Sequence, residues 1–283
     1  MNLTVGPGAA GARASLDLRR LPMTALGVLF LAVMLFPVYW MVNSSLQSSS
    51  GATTRDWLPL DATLSGYAKA ISEQGQNFVT SLLIALGTVV LTLVVATPAA
   101  YGLSRFRSRG ASTFVLVLLI TQMIPAMVIA NALYPLFNQL YLINNVFGLI
   151  LANTAAGIPF AVLLMRAFMG SIPRALVEAA MVDGAGQLRA FLSIVVPISK
   201  NAIVTAALFT FLSAWSDFLF ALTLTSTPEV RPITLGIYDY ISANTQDWDT
   251  VMATAVLASI PAALLLIFAQ RYIAAGAVAG AVK

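Results

Sequence analysis

The stretch Glu178-Ala179-Ala180-Met181-Val182-Asp183-Gly184-Ala185 lies in a polar break between two strongly apolar runs of the chain. Its two carboxylates stand out because the 283 residues include only 11 acidic ones. Alanine favours helix, and Gly184 is typical of a helix end, where glycine freely adopts the left-handed conformation. We therefore predict a short helix over 178–183 and, after a turn, a second helix over 187–194 that stops before Pro197.

A helix-turn-helix of this size is too small to bury a core of its own. Short helices with small and acidic side chains are suited to dock into the groove of a partner protein. The residues we expect to make this contact are Glu178, Ala179, Ala180, Asp183 and Gly184.

The composition is that of an integral membrane protein. Hydrophobic residues make up 59% of the chain, charged residues 9%, and the mean hydropathy is +0.88, whereas soluble domains carry about 25% charged residues. The absence of Cys excludes disulfides and thiolate metal sites, and the absence of His removes the commonest metal ligand and proton relay. The class is therefore all-α and polytopic, with no metal site and no nucleic-acid partner expected.

Six apolar segments are long enough to cross a bilayer: 21–46, 78–103, 112–134, 146–165, 202–225 and 251–270. The first is too long for the apolar region of a signal peptide, so we interpret it as an uncleaved anchor. The organisation expected is a disordered cytoplasmic N-terminus over 1–20, a six-helix transmembrane domain over 21–273 and a cytoplasmic tail over 274–283. The loop 166–200 between spans four and five holds the helix-turn-helix.

The basic residues set the orientation of these spans. One side of the membrane carries both termini and the 166–200 loop, and twelve of the 15 basic residues fall on that side. The others are Arg55, Lys69 and Arg231. Basic loops stay in the cytoplasm, so we predict a multi-pass cell-membrane protein, in contact with lipid, with both termini and the 166–200 loop cytoplasmic.

Small residues and prolines mark the packing of the spans. In the second span Ser81, Ala85, Thr88, Thr92, Ala96 and Ala99 recur at helical spacing, which favours close helix contact. In the third span we expect Gln122 and Asn131 to be buried around Pro125, and in the fourth a break at 157–159. Prolines in five of the six spans are either ordinary for membrane helices or kinks that let a transporter alternate between two shapes.

The chain has neither of the usual means of powering transport by itself. Its lysines are Lys69, Lys200 and Lys283, and no phosphate-binding glycine loop precedes any of them. Five of the six spans hold no ionisable group inside their apolar stretch, although ion-coupled carriers normally need one. A transporter of this kind is most simply one subunit of a complex whose ATPase docks on the cytoplasmic face. An ion-coupled carrier and a non-transporting scaffold remain the alternatives.

The exception among the spans is Asp217. On a continuous fifth helix, Thr210, Ser213, Asp217, Phe220 and Ala221 share a face at spacings of three and four. Trp215 then lies on a different side, facing lipid or another helix. Asp217 either bonds to nearby main chain or, with Thr210 and Ser213, lines a translocation path and offers acceptors to substrate hydroxyls.

The loop motif resembles that of binding-protein-dependent ABC importer permeases. Glu178-Ala179-Ala180, Gly184, Ile194 and Pro197 match it in order and spacing, and Val196 stands where that family usually has Leu. Asp183-Gly184-Ala185 and Ala214-Trp215-Ser216-Asp217-Phe218 resemble the carbohydrate, maltose-type branch. Ser216 departs from the usual Asn there, which leaves the substrate class open.

The resemblance implies a six-helix permease subunit that imports a sugar or oligosaccharide and carries out no covalent chemistry. It would form half of the translocation path beside a second, homologous permease subunit. Two ATPase subunits, which bind the ATP and Mg²⁺, and an extracytoplasmic solute-binding protein would complete the complex. A polyol, phosphate ester or peptide substrate is the alternative within the family.

Overall fold

The structure, a computed structural model, describes residues 21–48, 56–105, 109–242 and 247–281. The predicted disordered N-terminus over 1–20 lies outside these residues. In the described ranges the chain is helical with connecting turns and contains no strand. The helices are α1 (Leu21–Ser45), α2 (Ser65–Arg105), α3 (Arg109–Thr121), α4 (Ala126–Gln139), α5 (Val146–Met169), α6 (Arg174–Val182), α7 (Gln187–Ala190), α8 (Val196–Ile198), α9 (Lys200–Trp215), α10 (Leu219–Leu224), α11 (Ile233–Ser242) and α12 (Trp248–Ala281).

Four of these helices, α1, α2, α5 and α12, are long and apolar enough to cross a membrane unbroken. Two further stretches pass as bent pairs: 110–121 with 126–139 meet at 99°, and 187–198 with 200–215 meet at 75°. Counting each pair as one span gives six, the number that the sequence predicts. The second pair covers 187–215, however, whereas the sequence predicts the fifth span over 202–225 and places 187–194 in the loop. The all-α class is confirmed.

Helix α2 is the longest element and stands at the centre of the bundle. It runs over Ser65–Arg105 and so begins 13 residues before the predicted second span, 78–103. Alanine, lysine and glutamate favour helix and no proline interrupts residues 65–77, so the helix continues beyond the apolar segment. The small face is confirmed: of the six predicted residues all are buried except Ala99, which is half-buried. Helices α5 and α9 pack against it.

The third span differs from its prediction. It is not one helix, because α3 ends at Thr121 and α4 begins after Pro125, whose fixed backbone stands at the bend. Gln122 and Asn131 are exposed, so the prediction that they are buried is wrong. No other described helix covers those sides of the bent pair.

The fourth span is unbroken, so the break expected at 157–159 is wrong. Helix α5 runs through Gly157 and Pro159 to Met169. Proline is tolerated inside a membrane helix when neighbouring helices enclose it, and Pro159 is buried where α5 packs between α2 and α9. Asn145 caps its start, accepting a hydrogen bond from the Phe147 N–H at 2.8 Å.

The loop between spans four and five contains the predicted helix-turn-helix with shifted ends. Helix α6 begins at Arg174, directly after Pro173, instead of at 178. The second helix does not stop before Pro197, because α7 continues through a π-helical segment, Phe191–Val195, into α8. Pro197 lies in the first turn of α8, directly after the π-helical segment.

The ends of the bundle are more helical than expected. The loop predicted over 226–249 holds α11 and a 3₁₀ turn at Pro228–Val230. Helix α12 extends to Ala281, so the predicted tail over 274–283 is helical as far as the structure describes it. Helix α1 lies outside the core against α12.

Candidate translocation and coupling sites

A cavity of about 360 Å³ opens between the helices at the end of α9. Helices α5 and α9 form two of its walls, and α4 and α10 contribute one residue each. Its lining combines apolar and polar side chains, as ligand sites do: Gln122, Ala126, Asn153, Ala156, Gly157, Phe160, Phe209, Thr210, Ser213 and Phe220. The structure thus brings the predicted residues Thr210 and Ser213 to one wall.

Thr210 is the most informative residue of this wall. It is 3% exposed, and its hydroxyl has no hydrogen-bond partner. A buried hydroxyl without a partner costs about 1–3 kcal/mol. Behind Gly157 lies a second such hydroxyl, that of Thr92, 3.6 Å from the position a side-chain carbon on Gly157 would take. The centre of the bundle therefore holds unused hydrogen-bonding capacity beside the cavity.

Asp217 lies in a break of the fifth span. Helix α9 ends at Trp215 and α10 begins at Leu219, so the continuous face predicted from Thr210 to Ala221 is wrong beyond Trp215. The carboxylate instead caps α10, accepting hydrogen bonds from the N–H groups of Phe220 and Ala221, both at 3.2 Å. An acid can satisfy the free N–H groups at a helix start in this way. The need to cap α10 explains why an acid stands at this break.

Two further contacts fix the position of Asp217. The Asn153 amide of α5 donates to its carboxylate at 3.5 Å, and the Thr234 hydroxyl of α11 donates to its main-chain oxygen at 2.6 Å. Asp217 does not line the cavity, but Asn153 does. Asp217 therefore reaches the cavity through Asn153. Sequence reasoning missed Asn153, although an amide inside a long apolar run was a signal for it.

Trp215, next to the break, is buried. Its indole N–H donates to the Ala258 carbonyl of α12 at 3.0 Å, and its ring stacks on Phe211. The sequence predicts that Trp215 faces either lipid or another helix, and in the structure it packs against another helix, α12.

The helix-turn-helix is the most exposed part of the loop between α5 and α9. Helix α6 buries none of its residues, and Glu178, Ala179, Asp183 and Gly184 are exposed while Ala180 is half-buried. Large apolar side chains surround them, with Val182 87% and Leu188 71% exposed. Sequence reasoning missed these two, although apolar residues in a short polar break were the available signal. Exposed apolar groups of this kind mark a surface that contacts a protein or the membrane.

The turn after α6 has a backbone geometry that requires glycine. Gly184 has a φ of +85°. The Ala185 N–H bonds the Ala180 carbonyl at 2.9 Å and the Gly184 N–H bonds the Met181 carbonyl at 3.1 Å, the Schellman pattern of a helix end. The turn fixes the direction in which α7 leaves α6, and with it the shape of the exposed surface.

The opposite end of the bundle is charged and joins α2 to α11 and α12. Lys69 pairs with Asp247, and the Tyr240 hydroxyl donates to Glu73 at 2.5 Å. The bond to Asp247 raises the pKa of Lys69 above its usual value. Burial, with the bond to Glu73, raises the pKa of Tyr240 to about 12. At neutral pH Lys69 is therefore charged and Tyr240 is neutral, and both side chains join α2 to the loop between spans five and six.

The chain is similar in sequence to a known family of membrane transport proteins. Residues 89–277 match the family described as binding-protein-dependent transport system inner membrane component. The chain is 30% identical to the sulfoquinovosyl glycerol transport system permease of Agrobacterium fabrum (88% of this chain, 89% of that one). It is 34% identical to an osmoprotective compounds uptake permease of Synechocystis (83% and 81%) and 27% identical to a trehalose/maltose transport system permease of Thermococcus litoralis (94% and 98%).

The fold also occurs in a solved transporter. A chain of a bacterial ABC transporter that imports the acidic polysaccharide alginate superposes with a TM-score of 0.77 at 24% identity, covering 94% of this chain and 99% of that one. With up to six candidate spans, an exposed loop element and a family match over two thirds of its length, the chain belongs to the inner membrane permeases of binding-protein-dependent transport systems.

Proposed function

We propose that this permease imports a sugar or oligosaccharide and is driven by a cytoplasmic ATPase that docks on residues 174–190, the docking element. The observation that carries the docking is the exposure of α6, which buries none of its residues although it follows a tightly packed transmembrane helix. Acidic and apolar side chains lie side by side on it. Such a surface fits a groove with a basic rim and an apolar floor.

The proposed translocation path runs past the cavity wall of Thr210 and Ser213, with Asp217 acting through Asn153. The wall offers hydroxyl and amide groups, which match the hydroxyls of a sugar, and Phe160 and Phe209 at 5.4 Å provide ring faces for its apolar side. A translocation path lined by this chain alone is open along one side, so a second protein must close it. We propose that a second, homologous permease subunit supplies it.

Sugar specificity is supported by the names of two of the relatives, which transport sulfoquinovosyl glycerol and trehalose or maltose. The relative that takes up osmoprotective compounds favours a polyol-like solute as the second candidate. Uptake of labelled disaccharides, glycosides and polyols by cells with and without the gene distinguishes them. Loss of polyol uptake with sugar uptake unchanged would reject the sugar.

The proposed complex contains two permease subunits, two ATPase subunits that bind ATP and Mg²⁺, and an extracytoplasmic binding protein. Purification of the tagged chain in mild detergent tests it. For each copy of the chain we expect one copy of a second permease and two ATPase subunits to co-purify, and we expect the preparation to hydrolyse ATP. A chain that purifies alone and fails to hydrolyse ATP contradicts this assembly.

The proposed orientation places both termini and the docking element in the cytoplasm. Because the chain has no Cys, single cysteines report the side of the membrane cleanly. Cysteines replacing Asp61 or Glu229, like those at positions 51 and 245, are expected to react with an impermeant thiol reagent in intact cells. One replacing Gln187 is expected to react only after permeabilisation. The reverse pattern would overturn this topology.

A further inference from the structure

The last turn of α2 is joined to the docking element by two arginines in a reciprocal arrangement. Arg105, the final residue of α2, donates from Nη1 to the Ile172 carbonyl at 3.2 Å, just before α6. Arg174, the first residue of α6, donates from Nη2 to the Arg105 carbonyl at 3.2 Å. Each element therefore holds the main chain of the other with a charge-assisted bond, which is stronger than a neutral one.

An aromatic contact joins the same turn of α2 to the helix that follows the docking element. The Tyr101 ring lies 5.1 Å from the ring of Phe191, in the π-helical segment after α7. The Arg105 guanidinium lies 5.4 Å from the centre of the Tyr101 ring, within the range of a cation–π interaction. Helix α6 and the π-helical segment after α7 thus both contact the last turn of α2.

The guanidinium of Arg105 depends on these few contacts. Its Nε and Nη2 are out of solvent and have no hydrogen-bond partner, and no described carboxylate lies within 4.0 Å of it. A desolvated cation is costly unless it is paired. The Ile172 carbonyl and the Tyr101 ring offset the cost of removing the Arg105 guanidinium from water. Moving α6 away from α2 would break the contact with Ile172, and Arg105 therefore opposes that movement.

The other end of α2 is attached to the outer face. At 1.5 Å per residue its 41 residues span about 60 Å, and the helix continues through Pro98. The Ser81 hydroxyl accepts from the Ile233 N–H of α11 at 2.7 Å, and Lys69 pairs with Asp247 ahead of α12. At Gly66 a side-chain carbon would lie 3.0 Å from the Asp249 main chain, so the two backbones are in contact.

We propose that Arg105 and Arg174 clamp α6 to α2, so that a displacement of the docking element is carried along α2 to the outer face. The clamp rests on the proposed function, because the ATPase supplies the displacement. Packed, rigid elements can carry such coupling between distant sites. Arg105 and Arg174 are positioning residues: they touch neither substrate nor nucleotide, and they determine which helix moves with α6.

A reporter at the outer end of α2 tests the clamp without knowledge of the substrate. Ser72 is exposed there, and S72C carries the only cysteine of the chain. The purified complex, labelled at Cys with an environment-sensitive fluorophore, is mixed with ATP and orthovanadate. We expect a change in emission in the parent and, per bound ATPase, a loss of about fivefold or more of that change in R105Q/R174Q.

Three further variants control for folding and charge. R174Q alters only an exposed side chain and is expected to lose part of the signal even where the double variant assembles poorly. R174K keeps a donor and is expected to retain most of it. K200Q removes an exposed cation of the same loop outside the docking element and is expected to behave as the parent.

Four results would overturn the clamp: no emission change in the parent, a full change in R105Q/R174Q, a full change in R174Q when the double variant cannot be assembled, or the same loss in K200Q. E178K separates this failure from failure of the proposed function. If E178K releases the ATPase while R105Q/R174Q keeps the full signal, docking stands and the clamp alone is wrong. If E178K keeps both ATPase and signal, docking on α6 is wrong.

Discussion

Glu178 and Asp217 are the two acids that stand out in the sequence, and the structure gives them opposite surroundings. Glu178 lies exposed on α6, an element that buries nothing. Asp217 is half-buried at a break in the fifth span, and its two oxygens accept bonds from two main-chain N–H groups and an amide. An acid whose hydrogen bonds are satisfied within its own chain supports the fold. An acid without such bonds is available to a partner.

The largest effect is expected at the docking element. Glu178→Lys reverses the charge offered to the ATPase, and Gly184→Pro forces a φ of about −65° where the turn needs +85°. We expect transport to fall about tenfold or more, with ATPase lost from the complex and the chain still in the membrane. Co-purification and uptake measure this.

Gly184→Ala provides the matched control. A side-chain carbon there meets no atom within 4 Å, so only the left-handed backbone is penalised, by about 1–2 kcal/mol. Its effect should fall between parent and Gly184→Pro. Normal transport with bound ATPase in both Glu178→Lys and Gly184→Pro would show that the motif is not a docking site.

An intermediate effect is expected at Asp217. Asp217→Ala removes the cap of α10 and should destabilise the fold by about 1–2 kcal/mol, seen as less folded complex per cell. Asp217→Asn keeps an acceptor for the cap but changes the contact with Asn153. We expect near-normal amounts of complex and a several-fold weaker apparent substrate affinity. Unchanged affinity in the Asn variant would confine Asp217 to a structural role.

The smallest effects are expected at the cavity wall. Thr210→Val keeps the shape of the side chain and removes a hydroxyl that has no partner within the chain. If the hydroxyl meets the solute, affinity weakens about two- to fivefold while the amount of complex stays the same or rises. Ser213→Ala and Thr210→Ala should show losses of the same kind. Uptake kinetics normalised to complex level check this, and unaltered kinetics in all three would remove this wall from the path.

The sequence by itself determined the all-α class, the apolar runs that can span a membrane and the location of the exposed helix-turn-helix. Apolar runs of about 20 residues must be helical in a bilayer, since each main-chain polar group needs a partner there. The turn after α6 also followed from the local sequence, because Gly184 ends a helix whatever surrounds it. The small face of α2 followed from spacing alone.

Only the tertiary structure decided where the spans bend and what the polar residues do. Pro125 separates two helices, whereas the buried Pro159 and the exposed Pro37 and Pro98 each sit inside an unbroken helix. A proline specifies a missing N–H, and the sequence alone does not say whether the helix ends there. Likewise nothing local distinguishes Asp217 as a cap, since that role depends on a helix break and on Asn153, 64 residues away in the chain.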